Sequence, residues 1–359
     1  VDKLPIPERA KDDFWRLIED LERLYEWRDK QGKGAFDCPP DLSSKDEKMR
    51  ALDSMTLGEY AKSKGWSSTM IKLFDPLLKS AYGLGEDRIS AWAALDILMD
   101  ELLEADAGEE ALGFPGGNAY FAEKIAETIP GGKIRTDTMV TKLKNTGGGV
   151  LVTALQNGVE RTLRARTVIF AAQYFTAPYL IENLSGDKAK AAKDFEYAAY
   201  VVANVAVSRT PEALAYSNQL HGDFVMSDFI VADWTTWADP AKADPGRANV
   251  MTAYCPLERQ DRKVLLSPSV SAWESRILNE FEYCLPGFKK TVTAFHLHRW
   301  GHAFAVPAKG KLFSKERLLA KEKFGRIVFA CADTEGIPTI DHAMAAGFRA
   351  AWEIEELLG

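Results

Sequence analysis

At 359 residues the chain is long enough for two domains, or for one large domain with insertions. Hydrophobic residues make up 46% and charged residues 27%, the balance of an ordinary soluble globular protein, and no apolar stretch approaches the ~18–20 residues of a membrane span. The net charge of −7 argues against a nucleic-acid partner, because a phosphate backbone attracts a basic surface.

The first third reads as helical. In residues 8–29, Phe14, Leu17, Ile18, Leu21, Leu24 and Tyr25 fall on the i, i+3, i+4, i+7 stripe of an amphipathic helix. A Gly- and Pro-rich loop follows, with Ser44 placed to cap a helix from about Lys45, and Thr56-Leu57-Gly58-Glu59 offers a capping box. Further helices are expected over 68–81 and 90–105. At Gly113 the character changes. A Gly-Pro-Gly-Gly loop leads into a short helix that Asn118 is placed to cap. Strands are expected over 132–136, 138–144, 150–155 and 160–165, with Asn157-Gly158 a strong hairpin signal. The run TVIFAA (167–172) reads as a strand buried on both faces.

Residues 176–300 read as a separate mixed region, with strands over 200–208, 224–232, 248–254 and 291–299 and a helix over 271–283. Trp234, Trp237, Tyr254, Trp273 and Trp300 make it rich in aromatics, which serve a core or wall a pocket. The end of the chain gives a buried strand (326–330) and a helix from about Asp341 to Leu358. In that helix Ala343, Ala346, Gly347, Ala350 and Ala351 form a small-residue face suited to close approach to a sheet or a flat ring.

Much chemistry is excluded. There is no GxSxG elbow, no Walker loop and no GxGxxG; Gly83-Leu84-Gly85 comes nearest, without a leading apolar strand. His296 and His298 lie two apart on an expected strand with no third ligand apparent, so an ordinary strand face is the reading there. Cys38, Cys255, Cys284 and Cys331 form no CxxC pair and read as buried thiols. No apolar signal segment is visible, and a start at Val rather than Met suggests a processed or trimmed chain. The compartment, cytoplasmic or bacterial periplasmic, stays open.

Two segments, GFPGGNAYFAEKIAETI through IRTDTMVTKLKNTGGGVLVTALQNGVERTLRARTVIFAA and RIVFACADTEGIPTIDHAMAAGFRAAWEI, resemble in order and separation the flavin-containing amine oxidase superfamily. Phytoene desaturases and protoporphyrinogen oxidase are relatives there. The N-terminal helices and RWGHAFAVPAKG extend the likeness to nearly the whole chain, most closely to the spermidine dehydrogenase-like branch.

The resemblance implies a mixed α/β (α+β) fold of the FAD/NAD(P)-binding type. Its parts would be a helical piece of a substrate domain (1–107), an FAD-binding part (108–175), a mixed-sheet substrate domain (176–300) and the C-terminal FAD-binding strand and helix (301–359). It implies FAD contacts at Gly116, Gly117, Val140 (beside the adenine), Ala171, Asp333 (ribityl and diphosphate), Thr334, Pro338, Asp341 and Ala343. The usual Gly-acid pair is replaced before Asp333 by Cys331-Ala332. Helix N–H groups near Asp341 would face the flavin N1 and C2 carbonyl.

The family's N-terminal GxGxxG unit is missing from this sequence: either the chain is a fragment of a longer protein that lost the unit by truncation or, the preferred reading, a companion polypeptide or a cleaved precursor segment is expected to supply it. The implied activity is hydride transfer from a C–H beside an amine nitrogen to FAD, with Tyr254, Trp300 and His302 as substrate-pocket candidates and the catalytic residues open. A flavin-dependent desaturase, another flavin dehydrogenase, or a flavin-free binding protein of the Rab GDP-dissociation-inhibitor kind are the alternatives.

Overall fold

The computed structural model describes residues 1–104, 117, 119–210, 214–232 and 248–359. Gly116, the Asn118 cap, Trp234 and Trp237 lie outside these. Helix α1 (Glu8–Glu26) follows the expected stripe: Leu17 and Leu21 are fully buried, while Tyr25 stays exposed. The same helix also buries Asp13 and Asp20, which the apolar pattern did not announce. Asp20 accepts from the Tyr60 hydroxyl and from Lys64 Nζ at 2.9 Å, tying α1 to the next layer.

Helix α2 (Glu47–Ala51) is capped by Asp46 rather than Ser44, because the Ser44 hydroxyl is engaged with Asp29 at 2.7 Å. The Thr56–Glu59 capping box starts α3 (Leu57–Lys64) as expected. The single helix expected over 68–81 is two, α4 (Ser68–Lys72) and α5 (Asp75–Tyr82). Pro76 explains the break, since it has no N–H to continue the ladder from α4. Helix α6 (Ala91–Met99) is buried almost all round and ends in one π-helical turn, Asp100–Glu104. Gly83 and Gly85 follow α5 as its cap and exit turn, so that pair is no phosphate loop.

Beyond α7 (Ala119–Glu127), the expected strand over 132–136 does not form. Pro130-Gly131-Gly132 turns the chain there. A meander then runs β1 (Thr138–Thr146), β2 (Gly149–Gln156) and β3 (Val159–Ala165), with Asn157 (φ 50°) and Gly158 (φ 75°) in the tight hairpin. Strand β4 (Val168–Phe170) pairs in parallel with β10 (Ile327–Phe329), and among the described residues this sheet has only those two strands. Phe170 is buried but Ile169 is 44% exposed, so β4 is covered on one face and not on both.

After α8 (Ala177–Leu180) and α9 (Gly186–Asp194) comes a five-stranded antiparallel sheet ordered β6-β7-β8-β5-β9. Its strands are β5 (Ala199–Val207), β6 (Ser217–Gln219), β7 (Asp228–Val231), β8 (Asn249–Leu257) and β9 (Val292–Trp300). The period of two assigns its faces. Val201, Ala203 and Val205 pack with Met251, Ala253 and Cys255 under α10 (Val270–Cys284), whose Trp273, Ile277 and Phe281 complete that core. Tyr200 lies on the other face and packs into the helical layer. His296 and His298 are exposed on edge strand β9, an ordinary strand face.

Helix α11 (Lys315–Lys321) leads to β10, and α12 (Ala332–Glu335) to the final helix α13 (Ile340–Leu358). The small-residue face of α13 divides. Ala346 and Ala350 pack fully buried against the body, whereas Ala343, Gly347 and Ala351 are exposed. The exposed side also carries Ile340, Met344, Phe348 and Trp352, the last two 68% and 73% exposed. Residues four apart stack on one helix face, so this is a continuous uncovered apolar stripe. Of the cysteines, Cys255 and Cys331 are buried, but Cys38 is exposed and Cys284 half-buried.

Candidate functional site

The segment joining β10 to α13 is held from below by charge. Glu335, fully buried, pairs with Lys321 at 2.5 Å and with Arg349 at 3.0 Å. The Arg317 guanidinium donates to the Thr334 carbonyl at 2.9 Å. Gly336, at φ 90°, lies so close that an added Cβ would stand 2.8 Å from Leu312 Cδ1. Asp333 is buried and accepts from the Tyr174 N–H at 2.8 Å and the Tyr197 hydroxyl at 2.6 Å. Burial pushes its carboxyl above the usual range, and these two donors pull against that. One carboxylate thereby joins the loop after β4, the entry to β5 and the segment leading to α13.

Helix α13 begins without a side-chain cap, because the Thr339 hydroxyl is engaged with His342 Nδ1 at 2.6 Å. Its first N–H groups remain open to an acceptor. Beside this helix start is a cavity of about 610 Å³, lined by residues 32–38, the side of α1, Tyr82, the end of α6 and the segment 337–342. Asp37, Asp96, Asp100 and Asp341 lie on its wall against Arg28 and Lys33, and Tyr25, Phe36 and Tyr82 supply aromatic surface. Carboxylates outnumber basic side chains, which favours a cationic guest.

The expected contact residues fall into groups. Val140, Ala171 and Ala343 are all exposed; Pro338 and Gly117 are half-buried, and no atom stands within 4 Å of a Cβ placed on Gly117. Thr334 is fully buried and donates to the Cys331 carbonyl at 2.9 Å, which makes it a turn residue. Asp341 lies at the cavity wall beside Cys38 and His342. Burial would raise the Asp341 carboxyl, but hydrogen bonds from Thr339 and Cys38 and the nearby His342 hold it below the ordinary value. Although the residue as a whole is exposed, desolvation of its thiol at the cavity wall, and then Asp341, push Cys38 up to about 12.

Tyr254, Trp300 and His302 do not converge on this cavity. Tyr254 sits mid-sheet opposite Val202, and Trp300 is 54% exposed at the end of β9. His302 stacks on Phe175 at 4.2 Å and meets Arg262 at 3.3 Å, in a different cavity of about 500 Å³. Of the described aromatics noted in that region, Trp273 is buried in the core under α10, Tyr254 packs against the helical layer and Trp300 is exposed. Sequence reasoning missed Cys38, Tyr82, Asp96, Asp100 and His342. Only the Asp341-His342 pair at a helix start offered a signal.

The family model for flavin-containing amine oxidoreductases matches residues 9–355. The chain belongs to this family. Among solved structures, a cyclohexylamine oxidase from Brevibacterium oxydans IH-35A is similar at 16% identity and TM-score 0.69, covering 99% of this chain and 76% of that one. A wild-type putrescine oxidase bound to putrescine is similar at 17% identity and TM-score 0.72, covering 99% of this chain and 78% of that one. At such identities the likeness establishes the fold. No curated protein sequence matches. Family membership makes the protein an FAD-dependent oxidoreductase. The open helix start and the uncovered small residues Ala343 and Gly347 suit a flat cofactor there. No helix among the described residues is long and apolar enough to cross a membrane.

Proposed function

We propose that the protein oxidises an amine, with the flavin against the start of α13 and the amine in the acid-walled cavity beside it. The observation that carries this reading is the placement of Asp37, Asp96, Asp100 and Asp341 around a 610 Å³ space that opens at the uncapped helix start. FAD, when bound, accepts the hydride from the carbon next to nitrogen. This chain's own residues do the remaining work. The carboxylates attract a cationic amine, which loses its ammonium proton to solvent on entry so that the nitrogen lone pair can form the C=N bond as hydride leaves; Tyr82 and Phe36 line the space around it, and the first N–H groups of α13 favour the negative charge that develops on the cofactor's acceptor side. Val140, Ala171 and Ala343 are the exposed positions that would meet the cofactor. Asp333 serves as a positioning residue, since both its donors are protein groups.

A separate companion polypeptide carrying the dinucleotide-binding βαβ unit completes the site in this reading. The support is the uncovered surface: the two-stranded parallel pair β4–β10, exposed Ile169, and the α13 stripe from Ile340 to Trp352. Parallel sheets are ordinarily covered on both faces, and a patch this apolar marks an interface. The test is anaerobic mixing of the complete flavin-loaded assembly with a monoamine, a diamine and the matching neutral alcohol. The amines should bleach the flavin absorbance and the alcohol should not. Equal bleaching by the alcohol, or none by any amine, overturns the reading.

A further inference from the structure

The wall of the cavity brings together three side chains of different chemistry from two distant parts of the chain. Cys38 comes from the loop before α2, and Asp341 and His342 from the first turn of α13. Their ligand atoms all lie within 4.8 Å of one another. His342 is buried; its Nδ1 faces the Thr339 hydroxyl at 2.6 Å and Asp341 at 3.2 Å, and its Nε2 is buried with no hydrogen-bond partner among the described residues.

We infer that Cys38, Asp341 and His342 form a divalent metal site, of the kind that takes Zn²⁺, with the cavity supplying water as the fourth ligand. One sulfur, one nitrogen and one carboxylate oxygen are the donor set of a four-coordinate borderline-soft cation, not of Ca²⁺ or Mg²⁺, which require oxygen cages. His342 Nδ1 and the Asp341 carboxylate, 3.2 Å apart, already have about the spacing of two ligands in a tetrahedral shell, and the widest separation in the trio, within 4.8 Å, has to close by roughly an ångström. The charge also balances. Binding replaces the Cys38 thiol proton, which leaves to solvent, so that one thiolate and one carboxylate neutralise a dication. A neutral cluster meets no opposition from the positive end of the α13 dipole, as a bare cation would. A metal here also links the 32–38 loop to α13 at the cavity wall, where it takes up the Asp341 carboxylate and so works against entry of a cationic guest. Metal binding does not depend on the protein being an amine oxidase; only the exclusion of the guest does.

The test uses the full chain loaded with one equivalent of Zn²⁺ and X-ray absorption at the zinc edge. A single sulfur at ~2.3 Å with nitrogen and oxygen at ~2.0–2.2 Å is expected. Cys38→Ser and His342→Ala should each weaken Zn²⁺ binding by at least about 10-fold, while Cys284→Ser, whose half-buried thiol lies elsewhere, leaves it unchanged. A shell with no sulfur in the unaltered protein overturns the site whether or not the variants fold. So does undiminished affinity in folded Cys38→Ser.

Discussion

Replacing Asp333 separates a positioning role from direct cofactor contact. In Asp333→Ala, the Tyr174 N–H and the Tyr197 hydroxyl both lose their acceptor in a buried setting. Each orphaned donor costs about 1–3 kcal/mol. Part of this is offset, because burial holds the carboxyl above its usual range and its removal relieves that cost. The net expectation is a loss of about 2–4 kcal/mol. With an unfolding entropy of ~2.1 cal/mol/K per residue over a chain of this length, that lowers Tm by roughly 3–5 °C. Asp333→Asn keeps a carbonyl oxygen for both donors and should cost under about 1 kcal/mol.

The pH dependence has a definite sign. The folded carboxyl titrates above its unfolded value of about 3.9, so the native state holds the proton longer. The stabilisation is complete below that value and is lost as pH rises through the folded pKa; Asn removes the slope. Urea unfolding followed by tryptophan fluorescence, from pH 4 upward, reads all three proteins. Equal stability of the Ala and Asn variants would refute the pin. Flavin loss in Asp333→Asn with stability intact would restore Asp333 as a direct contact.

Other positions give independent checks. Lys188, 4% exposed, donates to the Leu319 carbonyl at 2.6 Å and to the Glu322 carbonyl at the end of α11; Lys188→Met should cost about 2–4 kcal/mol in denaturant unfolding by leaving those carbonyls unpaired. For Asp20, burial is outweighed by hydrogen bonds from Tyr60, Arg23 and Lys64, so its carboxyl titrates low. Its stabilisation is present above the unfolded pKa and disappears as pH falls through the folded one. Asp20→Asn should therefore lose about 1–2 kcal/mol at pH 7, and the difference should close in acid. Phe348→Glu with Trp352→Glu should leave the stability of this chain within about 0.5 kcal/mol, since both are exposed, while reducing companion recovery and flavin content of the purified assembly. Asp96→Asn with Asp100→Asn should raise KM for a diamine about 10-fold or more with a smaller change in kcat, read in steady-state assays.

The elements whose pattern has one physical cause were legible. The stripe of α1, the Thr56–Glu59 box, the Asn157-Gly158 hairpin and the alternation along β5 follow from periodicity and turn chemistry. What failed depended on distant partners. Ser44 is a sound cap until Asp29 takes its hydroxyl, and TVIFAA reads as doubly buried although Ile169, on one face of β4, is 44% exposed. The α13 small residues were read as one face, but a helix turns 100° per residue, and only Ala346 and Ala350 meet the body. The cavity was the least visible feature. Cys38 and His342 are about 300 positions apart, and no local rule joins a loop cysteine to a helix start.

In the proposed FAD enzyme, the uncovered β4–α13 face is closed by a dinucleotide-binding unit. Native mass spectrometry with a visible spectrum, on protein purified without tags from its source, tests it most directly. If the proposed companion closes that face, this chain appears in one-to-one complex with a second polypeptide, and the spectrum shows the two absorption bands of oxidised flavin. A colourless protein containing this chain alone, its α13 stripe still exposed to limited proteolysis, would contradict it.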